Sequence, residues 1–182
     1  VDYRIIQKSE ELKDVSKIIL PGVGAFDDAM NKFNKSGLRD DVEKMALNQK
    51  IPLLGVCVGM QILANSSDEG LEKGLGWINS SVKIFDTTNI NHDTKLPHMG
   101  WNTIDILSKD EPLFQDLEEE PSFYFLHSYY FDCLDKKNII SKTEYGNRYT
   151  SAVRSDNIYG VQFHPEKSHK NGVKLLQNFS NL

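Results

Sequence analysis

The sequence predicts an α/β fold: a mostly parallel central sheet flanked by helices, with antiparallel strands added. Three observations carry that prediction. In the first third, short apolar runs at Asp2 to Ile6, Lys17 to Leu20 and Ile51 to Val56 are separated by helical periodicity, with Leu38, Val42 and Met45 repeating on one face. After Ser80 the strand-like runs crowd together, at Val82 to Phe85, Ser122 to Leu126, Ile139 to Thr143, Thr150 to Val153 and Ile158 to Phe163, which favours antiparallel pairing. The run Ile51 to Val56 also passes directly into a helical pattern from Met60, and the C-terminal ends of strands in such sheets are where ligands bind.

Taken in order, the run at Lys17 to Leu20 leads into Pro21-Gly22-Val23-Gly24. Two glycines can turn backbone amides outward, and such donors around Gly22, Val23 and Gly24 could hold an oxyanion. An ordinary strand-to-helix turn is the plainer alternative.

The second strand ends in Gly55-Val56-Cys57-Val58-Gly59. A strand that turns sharply into a helix lifts its middle residue out of the sheet, and small flanking residues let the strained backbone close. Cys57 is therefore a candidate nucleophile, with the amide of Val58 as a second oxyanion donor. Its place at a helix N-terminus predicts a lowered pKa. Cys133, in the mixed apolar run Tyr129 to Leu134, has neither glycine elbow nor following helix and reads as a small buried hydrophobe.

A nucleophile needs a base and an orienting acid. Gln162-Phe163-His164-Pro165-Glu166 closes the last strand-like run, and residues two apart in extended backbone point the same way. Glu166 would then fix the tautomer of His164 and leave its other nitrogen for Cys57. The chain closes on Val173, Leu176 and Phe179, spaced as one face of a helix.

Pro-Gly-Val-Gly, then Gly-Val-Cys-Val-Gly-Met-Gln, then His-Pro-Glu-Lys-Ser occur in the order and spacing of the class I, triad-type glutamine amidotransferases, which the chain resembles from about Lys17 to Phe179. Leu96 to Asn102, Phe125 to Tyr129 and Gln162 to Ser168 narrow the resemblance to the glutaminase subunits of imidazole glycerol phosphate synthases. The resemblance implies hydrolysis of L-glutamine by Cys57, His164 and Glu166. It also implies ammonia delivery to a (β/α)8 barrel cyclase, in a heterodimer that forms imidazole glycerol phosphate and aminoimidazole carboxamide ribotide.

By the same resemblance, Gln61, Glu69, His127, Ser128 and Tyr129 hold glutamine, while His98, Met99, Trp101, Asn102 and Lys167 face the partner. Residue by residue, plainer roles stay open. Gln61 can cap local backbone, Glu69 can be a solvated loop charge, Tyr129 can be core, and Pro97 to Asn102 can be a turn with a buried Trp101. A glutaminase serving a sugar-modifying synthase, or a non-catalytic partner-stabilising module, are the alternative readings. The family also opens with a strand, a Gly-containing loop and a helix before the segment matching Val1 to Ile6, so a single, N-terminally truncated domain over 1–182 is expected.

A chain of 182 residues can bury one substantial core. With 39% hydrophobic and 26% charged residues its composition is that of an ordinary soluble protein. A net charge of −5 without a basic face argues against a nucleic-acid partner. Glu118-Glu119-Glu120 reads as a solvated loop. Two cysteines in unlike contexts suggest no disulfide framework, and no stretch is apolar enough to span a membrane, so a cytoplasmic protein without metal or cofactor is expected.

Overall fold

A computed structural model describes residues 2–91 and 94–182. The strands are β1 (Ile18–Gly22), β2 (Leu53–Cys57), β3 (Ser66–Ser67), β4 (Ser80–Ile84), β5 (His98–Thr103), β6 (Asp105–Ile106), β7 (Ser122–His127), β8 (Tyr129–Cys133), β9 (Ile139–Tyr145), β10 (Asn147–Ser155) and β11 (Ile158–Val161). The helices are α1 (Phe26–Lys35), α2 (Arg39–Glu43), α3 (Val58–Gln61) and α4 (His169–Ser180).

Nine strands form one sheet with the path β1-β2-β11-β10-β8-β4-β3, β9 joining β10 and β6 joining β9. The two ladders β1/β2 and β2/β11 are parallel, so β2 is buried along its whole length, as its unbroken apolar sequence requires. Beyond β11 the ladders to β10, β8, β9 and β4 run antiparallel, where the crowded later strands led the sequence to expect them. β5 and β7 form a separate antiparallel pair.

The expected strand at Asp2 to Ile6 is absent. Tyr3 and Ile5 stand in solvent at 88% and 79% exposure, and a strand with neither a ladder partner nor a covered face gains nothing from extending. Helix α1 buries Phe26, Met30 and Phe33, one stripe at helical spacing. The predicted face Leu38, Val42, Met45 exists, although α2 passes after one turn into a π-helical turn at Lys44–Asn48.

Helix α4 keeps Phe179 and Leu176 of the predicted face against the core but turns Val173 away from it. Gly172, Leu175 and Phe179 are buried, while Val173 is exposed. Gly172 decides this, since a Cβ there would lie 1.8 Å from the Pro165 carbonyl oxygen, so the helix meets the turn before it through bare backbone. The helical pattern expected from Met60 is a single turn, α3, that starts at Val58.

Candidate active site

Residue Gly22 pairs in register with Cys57 across β1 and β2, and α3 starts immediately after that rung. Cys57 has φ 55° and ψ −114°, a strained conformation for a side chain larger than glycine, as a nucleophile elbow demands. The strain is held in place by backbone packing: a Cβ on Gly59 would lie 1.8 Å from the Leu20 oxygen, and one on Gly55 2.6 Å from the Gly59 oxygen. Gly22 belongs to this packing, since its Cβ would meet the Gly59 nitrogen at 2.4 Å.

A cavity of about 280 Å³ opens in front of the elbow. Its wall includes Cys57, Val58, His164, Val23, Gly24, Gln61, Glu69, His127, Ser128, Tyr129 and Lys167, so most of the residues singled out in the sequence converge on one space.

The His164 ring is buried, and its Nδ1 lies 2.8 Å from a Glu166 oxygen while the Glu166 side chain remains half exposed. The pairing arises otherwise than the alternation of an extended strand would give it. β11 stops at Val161, and Pro165–Lys167 forms a 3-10 turn that folds Glu166 back onto the imidazole. Ser168 fastens this turn: its hydroxyl donates to the His164 carbonyl at 2.6 Å and accepts from the Tyr124 amide at 3.0 Å. Sequence reasoning gave Ser168 no role, because a lone Ser after a Glu-Lys pair looks like surface.

Burial pushes the Cys57 thiol up to about 11, opposed by the Val58 N–H, with Glu166 pushing it further up and Lys167 and Gln162 pulling it down. The lowered pKa expected from a helix N-terminus is therefore overturned in this form of the chain. One helical turn carries too small a dipole to offset desolvation. The thiol donates to the Leu126 carbonyl at 3.9 Å, which suits the protonated form.

The remaining wall is built by hydrogen bonds. Gln61 is buried, and its Nε2 donates to the Tyr129 carbonyl at 3.0 Å and to Gln162 Oε1 at 3.2 Å. Glu69 accepts the Phe26 N–H at 2.8 Å, and Asp27 accepts the N–H groups of Leu71 and Glu72 in return, so the cavity-edge loop and the start of α1 hold each other. His127 is buried, its Nδ1 2.7 Å from the Tyr129 oxygen and its Nε2 3.2 Å from the Tyr149 hydroxyl. Burial and the neighbouring His98 push its pKa down to about 3, so it is neutral.

The segment Pro97 to Asn102, for which a turn was the plainer alternative, runs into the strand β5. Its alternation puts Met99 and Trp101 outside and His98 inside. His98 stacks on Tyr145 with ring centroids 4.0 Å apart and lies 3.1 Å from the Tyr149 hydroxyl, so its expected place at a partner surface is corrected: it belongs to the interior. Asn102 donates to the Glu144 carbonyl at 2.9 Å. Trp101, half exposed rather than buried, stacks on His169 at 5.0 Å and meets Tyr124 edge-on, while Lys167 sits 5.6 Å above the Tyr124 ring. Among the described residues no helix is long and apolar enough to cross a membrane, and no group of three His, Cys, Asp or Glu is placed to hold a metal ion.

An elbow cysteine, a carboxylate-bound histidine and a polar pocket that both of them line form a candidate site for nucleophilic attack on a carbonyl. Residues 1–181 match the glutamine amidotransferase class-I family, and the chain belongs to it. Among its relatives is the imidazole glycerol phosphate synthase subunit HisH of Leptospira borgpetersenii, 52% identical over 180 residues, 99% of this chain and 88% of that protein. The subunit HisH 2 of Methanococcus maripaludis is 51% identical over 178 residues, 98% of this chain and 86% of that one. In shape, a glutamine amidotransferase crystal structure superposes with a TM-score of 0.72 at 18% identity, over 99% of this chain and 87% of that one. The PurLQS structure from Thermotoga maritima gives 0.68 at 20% identity, over 93% and 81%. These last two likenesses speak for the fold.

Proposed function

We propose that this glutamine amidotransferase is the glutaminase subunit of an imidazole glycerol phosphate synthase in histidine biosynthesis, a single domain that hydrolyses L-glutamine and hands ammonia to a (β/α)8 barrel cyclase. The observation that carries the reading is the convergence of Cys57, His164 and the Gln61 and His127 to Tyr129 wall on one cavity, in a chain half identical to HisH subunits along nearly its whole length.

Cys57 Sγ attacks the side-chain carbonyl carbon of glutamine after passing its proton to His164. The tetrahedral oxyanion is held by amides at Val23, Gly24 and Val58, and His164 returns the proton to the leaving nitrogen, which departs as ammonia. Water, deprotonated by His164, then hydrolyses the thioester to glutamate. Glu166 keeps the imidazole in the tautomer this needs and stabilises its cationic form. Gln61, Glu69, Ser128 and Tyr129 hold the amino acid end of glutamine. Met99, Trp101 and Lys167 lie on the side toward the cyclase.

A thiol held neutral by burial makes a slow nucleophile, so the chain by itself is expected to turn over glutamine poorly. Partner contacts favour the active state; shifting a 1:99 equilibrium to 99:1 takes about 5.5 kcal/mol of differential binding. Glutamate release by the isolated chain and by its complex with the cyclase at saturating nucleotide tests the reading. A large increase in the complex is expected, and equal turnover overturns it in favour of a free-standing amidase.

A further inference from the structure

Behind the elbow lies a buried side chain that the mechanism leaves unused. Gln162 is fully buried behind the elbow, and its Nε2 lies 3.9 Å from Cys57 Sγ, within reach for a donor to sulfur. The direction of that amide is fixed by its neighbours. The Gln61 Nε2 faces two acceptors, the Tyr129 carbonyl and one end of the Gln162 amide, so that end of Gln162 is oxygen and the end facing the sulfur is N–H.

The ordering continues away from the sulfur. His127 Nδ1–H donates to the same Tyr129 carbonyl, which leaves Nε2 of the neutral ring as an acceptor for the Tyr149 hydroxyl proton. Tyr149 has then spent its proton, so its oxygen accepts from His98 Nδ1–H, and His98 Nε2 in turn accepts from Asn102 Nδ2 at 3.3 Å. The two branches meet at the Tyr129 carbonyl, which accepts from both His127 and Gln61, so the Gln162 amide is oriented by Gln61 and that carbonyl. Gln61, Gln162, His98, His127 and Tyr149 are all buried, so bulk water does not compete for these bonds.

We propose that Gln162 is a further catalytic residue, whose Nε2–H stabilises the Cys57 thiolate, and that Gln61 is the positioning residue that holds its amide with the donor toward sulfur. In the resting thiol the S–H points to the Leu126 carbonyl. Once the proton leaves, that oxygen repels the thiolate, and the Gln162 and Val58 N–H groups are the donors left to it. The other charged or titratable groups facing the sulfur are Glu166, Lys167 and His164 on the turn after β11, His127 at the end of β7 and Glu69 across the cavity. None of them changes in the test below.

The inference rests on Cys57 being the nucleophile, and two measurements keep the readings apart. Glutamate release by a Cys57→Ala chain in the cyclase complex tests the nucleophile; the pH profile of Cys57 alkylation by iodoacetamide, resolved from Cys133 by peptide mass, tests Gln162. Gln162→Met, similar in volume and without a donor, is expected to slow alkylation at pH 8 about tenfold, a displacement of the profile by one pH unit. A Gln162→Met chain that is folded and has the wild-type profile overturns the proposal while leaving Cys57 its role. If Gln162→Met does not fold, the wild-type chain decides: the Gln162 side-chain amide proton moves downfield as Cys57 ionises, and a resonance that does not follow that titration overturns the proposal.

Discussion

The two cysteines are a natural experiment. Both are buried, and burial pushes both thiols up to about 11, so protonation equilibrium in this form of the chain does not tell them apart. Their surroundings do. Cys133 ends β8 with its thiol on the Asp135 carbonyl at 3.4 Å and the carboxylates of Asp132 and Asp135 disfavouring its anion. Cys57 sits at a strained backbone turn, fronts a cavity shared with a carboxylate-bound histidine, and has N–H groups and Lys167 ready for a negative charge. Reactivity at this site is built as a provision for the thiolate once formed, rather than as a resting thiolate.

The sharpest way to break the comparison is to remove each sulfur. Cys57→Ala should abolish glutamine hydrolysis while the cyclase complex still uses supplied ammonium, because only acyl transfer needs the sulfur; retained glutaminase defeats the nucleophile assignment. Cys133→Ala should leave turnover within about twofold. Next comes Glu166→Gln, which keeps the shape but not the charge on His164, with an expected loss of roughly 10- to 10⁴-fold in kcat. An unchanged rate and pH profile would place Glu166 in a surface ion pair.

Gly59→Ala drives a methyl into the Leu20 oxygen and should cost about 1–3 kcal/mol in urea unfolding. The smallest effect is on alkaline stability. Each thiol ionises near its ordinary value of 9.0 when unfolded but only near 11 when folded, so unfolding releases protons between these values. Stability is full below pH 9 and falls as pH rises to 11, by on the order of 1–2 kcal/mol per thiol. Urea midpoints at pH 8.5 and 10.5 should therefore converge in Cys57→Ala and Cys133→Ala relative to wild type.

Legibility in the sequence followed the physics of each element. The elbow was readable because a buried parallel strand shows as an unbroken apolar run and its turn needs glycine at fixed places. Strand β5 was not, because Pro97 and Gly100 look like a turn and its inward residues, His98 and Asn102, are polar. A strand whose buried side is a hydrogen-bond network reverses the usual alternation. Tyr149, one residue before the run Thr150 to Val153, was not singled out at all. On α4 only Val173 was misread, because Gly172, with no side chain, sets which way the helix lies. The missing strand at Asp2 to Ile6 shows that β-propensity without a ladder partner is not enough.

The three-way meeting of β1, β2 and α3 through Gly22, Gly55 and Gly59 has a consequence for how this enzyme can vary. Main chain touches main chain there, so the sulfur's position is surveyed from peptide planes and not from the shapes of neighbouring side chains. Core residues around it, such as Met60 or Val161, can be exchanged for others of similar size with the nucleophile still on its mark. A saturation library should accordingly show tolerance that changes abruptly from one residue to the next: permissive at the bulky apolar positions, and closed at three residues that have no side chain at all.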